Sequence, residues 1–152
     1  PLYLSIRKAL PQGGRILDVG CGAGAFTSLL STYGLEAVGV DQDSAVVAHA
    51  RQVAGLLGGE ATFEQADAFD LSPFHERFDL AYSIGVVEHF DRDVTVGLIK
   101  EQARCARHVL VAIPTRFTKY SAVNTDERIY TRPQLDAMVR RGGGWHAEFS
   151  HA

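Results

Sequence analysis

The sequence predicts a doubly wound α/β domain, a mostly parallel sheet with helices on both faces. Three observations lead there. Short apolar runs alternate with segments of helical period along the chain. Three glycines, Gly20, Gly22 and Gly24, fall within five residues between the first such run and the helix after it. Aspartates close or follow successive runs: Asp18, Asp41 and Asp67. Strands alternating with helices at this spacing imply parallel pairing through crossover helices.

Leu2, Ile6 and Leu10 share one helical face, so residues 1–11 read as a short helix closed by Pro11 and the Gly13-Gly14 pair. RILDV, Arg15 to Val19, is a buried strand. Ala25 to Leu30 opens a helix, with Phe26, Leu29 and Leu30 at helical spacing. LEAVGVD, Leu35 to Asp41, is a second strand, followed by a helix from near Asp43 to Gly58-Gly59. Ala61 to Gln65 alternates as a third strand, Phe78 to Ser83 is a fourth and His108 to Pro114 a fifth. Between the last two, Asp93 to Ala106 carries a stripe of Val94, Leu98 and Ile99. Residues 116–132 are polar and aromatic without a clear period, the pattern of a long connection that often covers a site. A final helix begins at PQLDAMVRRGGG with Leu135, Met138 and Val139 on one face, and WHAEFSHA is a candidate sixth strand.

The 152 residues fit one domain spanning 1–152, and 46% hydrophobic content fits a globular core. A formal charge of -3 with both signs interspersed offers no footprint for a nucleic-acid backbone or an anionic membrane. No apolar run approaches the roughly 20 residues a membrane helix needs, and PLYLSIRKAL lacks a signal peptide's apolar region, so a cytoplasmic protein is expected. Cys21 and Cys105 have no metal-type spacing and read as free thiols, and the six scattered histidines argue against a zinc site.

In an open α/β sheet the ligand sits beyond the carboxyl ends of the strands. A glycine turn there lets a ligand approach the main chain, and the helix behind it aims free N–H groups at the gap. The turn itself, GCGAGA, also fits a dinucleotide pattern, in which Asp41 would hold an NAD ribose. Asp41, ending the second strand, can accept two hydrogen bonds from ribose hydroxyls. Asp67 can accept from an adenine amino group while the N–H of Ala68 or Phe69 reaches a ring nitrogen. Asp43, Asp70 and Asp79 read instead as helix caps or loop residues.

The blocks ILDVGCGAGAF, VGVDQD, EQADAFDL, FDLAYSIGVVEHF and VLVAIPT, over roughly residues 15–115, carry a family resemblance. The chain resembles class I, Rossmann-like S-adenosylmethionine-dependent methyltransferases, and is similar to the small-molecule enzymes of the ubiquinone-biosynthesis type. The resemblance implies S-adenosyl-L-methionine as cofactor. It implies that Asp18, Gly20 and Gly22, with Cys21 in the same turn, line the methionine and ribose part. Asp41 would bind the ribose, Gln42 would pack by the adenine, and Asp67 and Ala68 would bind the adenine edge. Ser83 would contribute its backbone near the methionine amine. Asp18, the ADAF segment and IGVVEHF favour a methyltransferase over an NAD-dependent oxidoreductase, since a dinucleotide site requires none of them. A catalytically silent S-adenosylmethionine-binding module is the other alternative.

A sulfonium donor is already activated, so alignment and water exclusion dominate the chemistry. His89, just past the fourth strand, is the titratable residue best placed to serve a hydroxyl acceptor as base; otherwise it shapes the pocket wall. The acceptor is expected to be a small molecule, with O, N or C as the attacking atom left open. The Asn-Pro-Pro-Tyr-like turn of amine methylation on nucleic-acid bases is replaced by Ser83-Ile84-Gly85-Val86. Tyr120 and Tyr130, beside basic side chains, could receive an aromatic or anionic acceptor, or belong to a solvated loop. The resemblance also implies a seventh, antiparallel strand after the sixth. Three expectations follow: WHAEFSHA pairs with the fifth strand, the native chain continues, or a second copy covers the edge in a homodimer.

Overall fold

A computed structural model describes residues 2–113 and 128–143. The elements run α1 (Leu2–Ala9), β1 (Arg15–Val19), α2 (Ala25–Thr32), β2 (Glu36–Asp41), α3 (Ser44–Leu57), β3 (Thr62–Gln65), β4 (Phe78–Ile84), α4 (Arg92–Cys105), β5 (Ala106–Ala112) and α5 (Arg132–Arg141). Single 3-10 turns at Ser72–Phe74 and Val87–His89 flank β4, and the sequence pattern did not announce either.

The five strands form one sheet in the order β3-β2-β1-β4-β5, every neighbouring pair parallel. The order reverses between β1 and β4, so the turns after these two strands face the crevice that the reversal creates. β1 is central and buried on both faces, which explains its near-continuous apolar run and leaves Asp18 as the polar exception. One face carries Ile6 and Leu10 at the α1 end, Ile16, Leu30, Ala37, Leu80 and Tyr82. The other carries Leu17, Val19, Val38, Val40, Leu71, Phe74 and Ala81. Each fully buried Leu or Ile contributes roughly 1.5–3 kcal/mol of transfer free energy, so the strand ends are held by a firm base.

Local chemistry fixes the boundaries. Asp43 caps α3, its carboxylate accepting from the N–H of Ala45 at 2.8 Å, and Gly58 ends the helix in a left-handed conformation. Asp91 caps α4 through Val94 N–H at 3.2 Å, and a Thr131–Gln134 capping box opens α5. Asp70 accepts from Ser72 N–H in the loop, as a loop residue should, while Asp79 accepts from Arg15 N–H and ties the start of β1 to β4.

Two expectations shift. β5 starts at Ala106 rather than His108, because the chain passes from α4 straight into the register Phe78–Ala106 without a loop. In α2 the inward face is Thr27, Ser28 and Leu30, whereas Leu29 is 43% exposed. The first turn of that helix lies over the Asp18 carboxylate, which the Thr27 hydroxyl meets, while the Ser28 hydroxyl donates to the Gly24 carbonyl at 2.7 Å. The candidate sixth strand WHAEFSHA, Pro114, Tyr120 and most of the 116–132 connection lie outside the described residues. No described helix is long and apolar enough to cross a membrane.

Candidate functional site

The turn after β1 is stitched to β2: the N–H groups of Gly20 and Cys21 both donate to the Val40 carbonyl at 2.9 Å. The three glycines then serve different ends. A Cβ on Gly20 would stand 2.5 Å from a Val86 methyl, and one on Gly24 would meet the Phe63 ring at 2.5 Å. Both positions are close-packed. Gly22, at φ +52°, has nothing within 4 Å of a would-be Cβ. It is the glycine that opens onto free space, in a backbone conformation side chains rarely adopt.

Asp41 anchors this turn from β2. One carboxylate oxygen accepts from Gly22 N–H and the other from Asp43 N–H, each at 3.1 Å. Each oxygen keeps a further lone pair for a ligand. Gln42 is exposed beside it, its carbonyl accepting from the Gln65 amide at 2.9 Å. In the loop after β3, Asp67 is exposed and its Oδ1 accepts from Phe69 N–H at 2.9 Å. Of the two N–H groups proposed for a ring nitrogen, that of Phe69 is therefore already engaged and that of Ala68 is the better candidate. The Phe69 ring, 52% exposed, meets Phe90 edge-on at 5.4 Å, joining this loop to the turn after β4.

Asp18 is 3% exposed. Thr27 Oγ1 donates a short hydrogen bond to its Oδ2, and the Tyr82 hydroxyl reaches Thr27 Oγ1 at 3.5 Å. The carboxyl titrates at about 6 against an ordinary 3.8: burial is the largest cause, the Thr27 and Tyr82 hydroxyls pull it down, and the Asp41 charge pushes it up. Cys21 packs against the Val47, Ala50 and Phe63 cluster; burial and the two carboxylates push its thiol up to about 12, so it is inert at neutral pH. What Cys21 gives the turn is its backbone.

At the end of β4, Ser83 is buried and its Oγ accepts from the Gln102 amide at 3.2 Å, so only its backbone is left for the crevice. His89 is exposed at the end of its 3-10 turn. Residues 128–130 clasp that turn: Arg128 N–H donates to the Glu88 carbonyl, the Arg128 guanidinium to the His89 carbonyl and the Tyr130 hydroxyl to the Phe90 carbonyl. Tyr130 is 8% exposed and packs with Val96, Ile99 and Met138, so it is not the solvated-loop residue of one expectation. A surface depression of about 360 Å³ lies beside it, lined by Asp91, Arg92, Arg128, Ile129, Tyr130 and Gln134.

The strand ends thus place Gly20, Gly22 and Asp41 together at the carboxyl ends of β1 and β2, with Asp18 buried beneath the turn, Ser83 buried at the end of β4, and Asp67 and Ala68 on the loop that follows β3. Against this geometry, a family model described as a methyltransferase domain matches residues 16–108. The chain belongs to the methyltransferase domain family. It is 36% identical over 92 residues to a ubiquinone biosynthesis O-methyltransferase of Azorhizobium caulinodans, a match covering 60% of this chain and 35% of that protein. The chain therefore spans about a third of the length of that relative. Two solved structures share its fold with a TM-score of 0.77 each. The PH0226 protein of Pyrococcus horikoshii is 23% identical, over 91% of this chain and 77% of that one. The magnesium protoporphyrin IX methyltransferase of Synechocystis, solved with S-adenosylhomocysteine bound, is 17% identical, over 93% and 69%.

Sequence reasoning missed Thr27, Tyr82 and Val86 in this methyltransferase domain. A signal existed for Thr27, a hydroxyl three residues before Leu30 on the same helical face. None existed for Val86, whose contact with Gly20 depends on the strand order.

Proposed function

We propose that this domain binds S-adenosyl-L-methionine at the ends of β1, β2 and β3 and transfers its methyl group to a small-molecule acceptor. The observation that carries the reading is the open face of Gly22 beside the Asp41 carboxylate, a cradle that a Cβ would fill, flanked by Asp18 and Asp67 on neighbouring strand ends. When bound, the cofactor supplies an activated methyl group on a sulfonium. The chain's residues bind and orient. Asp41 accepts from the ribose hydroxyls while keeping the turn in place. Asp67 accepts from the adenine amino group and Ala68 N–H donates to the ring. Asp18 takes the ammonium of the methionine part, with the Ser83 backbone beside it, and Gln42 packs by the adenine.

His89, exposed on the far wall, accepts the proton of a hydroxyl acceptor as the methyl bond forms. Isothermal titration with S-adenosylhomocysteine against NAD tests the cofactor. The reading expects S-adenosylhomocysteine to bind and NAD not to, and the reverse preference overturns it. Methyl transfer to a panel of phenols, amines and carbon nucleophiles then separates an enzyme from a silent binding module.

A further inference from the structure

We propose that Thr27 and Tyr82 are positioning residues for the cofactor's amino-acid end: together they orient the Asp18 carboxylate and hold it as an anion beneath the glycine turn. The inference rests on the reading above, in which Asp18 meets the ammonium of the methionine part.

The geometry is a directed chain across three elements. Asp18 on β1 and Tyr82 on β4 are register partners in adjacent strands, and Thr27 lies in the first turn of α2 over both. Tyr82 donates to Thr27, and Thr27 donates to Asp18 Oδ2. A threonine hydroxyl has one proton, so giving it to Asp18 leaves its oxygen as acceptor for the phenol. Every proton in the chain runs toward the carboxylate, an arrangement that favours the anion over the acid. With Oδ2 committed to Thr27, the ligand would be served by Oδ1. The Phe26 ring, edge-on to Tyr82 at 5.9 Å, fixes the phenol in turn. Thr27 and Tyr82 are fully buried, so water cannot replace either hydroxyl cheaply.

The titratable groups that act on Asp18 are Tyr82 on β4, Asp41 on β2 and Cys21 in the turn, each neutral or anionic at neutral pH. A carboxylate so placed gains most from a cationic ligand. Burial works against its charge, and the two hydroxyls offset part of that cost by lowering its titration.

The test is the pH dependence of S-adenosylhomocysteine affinity from pH 5 to 8, a range in which that ligand keeps its ammonium. Wild type should bind with constant affinity at the upper end and lose up to tenfold per pH unit below about 6. In Thr27→Val the fall-off should move up by about half to one pH unit, and in Tyr82→Phe by less. Thr27→Ser, which keeps the hydroxyl, should restore the wild-type midpoint. A uniform loss of affinity in Thr27→Val and Tyr82→Phe, with the midpoint unmoved, overturns the proposal, since that is what a purely structural role gives. Asp18→Asn separates the two levels. If it binds like wild type at every pH, the reading of the site fails. If it loses binding while Thr27→Val keeps the wild-type midpoint, the inference alone fails. Should Thr27→Val not fold, Tyr82→Phe, which removes a single oxygen, decides the same question.

Discussion

Asp18→Asn should shift the stability of the ligand-free protein in the variant's favour as pH rises toward neutral, while removing its affinity for cofactor. The carboxyl titrates at about 6 in the fold against 3.8 ordinarily, and burial is the largest cause. Between those two values the folded state binds more protons than the unfolded chain, so this group's contribution to stability falls as pH rises through the window and is level above it. The shift of about two units corresponds to roughly 3 kcal/mol at pH 7. An asparagine cannot ionise, so the variant escapes that cost. Its amide N–H₂ needs an acceptor, and a missing one costs about 1–3 kcal/mol, but that penalty does not vary with pH.

The slope of the difference is therefore the observable. Urea denaturation of wild type and variant at intervals from pH 4 to 7.5 should give a stability difference that moves in the variant's favour by about 2–3 kcal/mol across the range, with unchanged m-values. Taking the difference removes other carboxylates, such as Glu101, which His75 and Arg104 hold down and whose contribution has the opposite sign. A difference that stays constant with pH would refute the reasoning, because Asp18 would then titrate alike in both states.

Asp41→Ala should weaken S-adenosylhomocysteine binding by about 1–3 kcal/mol in isothermal titration, since it removes ribose acceptors and leaves Gly22 N–H without its partner. Gly22→Val should abolish that binding and cost about 1–2 kcal/mol of stability, as the branched side chain enters open space at φ +52°; normal affinity would remove Gly22 from the ligand's path. Gly20→Ala should destabilise by about 1–3 kcal/mol and be rescued in part by Val86→Ala, which removes the clash but not the strain of an alanine at φ +77°, a coupling that a double-mutant cycle reads directly. His89→Ala should keep cofactor affinity and lower turnover on a hydroxyl acceptor, whereas a wild-type rate would assign His89 to the wall.

Strand and helix order was legible because it rests on period and punctuation. Arg15–Val19 came out with its expected bounds, and Asp43 and Gly58 cap α3 where their chemistry says they should. What the sequence concealed depends on neighbours that are far apart in the chain. The stripe Phe26, Leu29, Leu30 counts apolar residues, but Thr27 turns inward to the Asp18 carboxylate beneath α2, and Ser28 turns inward beside it with its hydroxyl on the Gly24 carbonyl. Tyr130 looked like an available aromatic because its partners Val96, Ile99 and Met138 belong to other elements.

The same distinction governs the glycine turn, whose spacing is uniform in sequence and whose three positions are not equivalent in space. Gly20 yields to Val86 and Gly24 to Phe63. These two contacts bring the β1 turn against β4 and α2 against β3, fixing the crevice before any ligand arrives. Only Gly22 is left to the ligand. Asp41 then spans both tasks, because the carboxylate that would accept from a ribose is the one that already receives Gly22 N–H. Binding energy at Asp41 is thus inseparable from the shape of the turn. At Asp18 the two are distinct, since Thr27 and Tyr82 hold the carboxylate through one oxygen. Substitutions at Asp41 should change affinity together with turn geometry, whereas those at Thr27 and Tyr82 should change the pH at which affinity is lost.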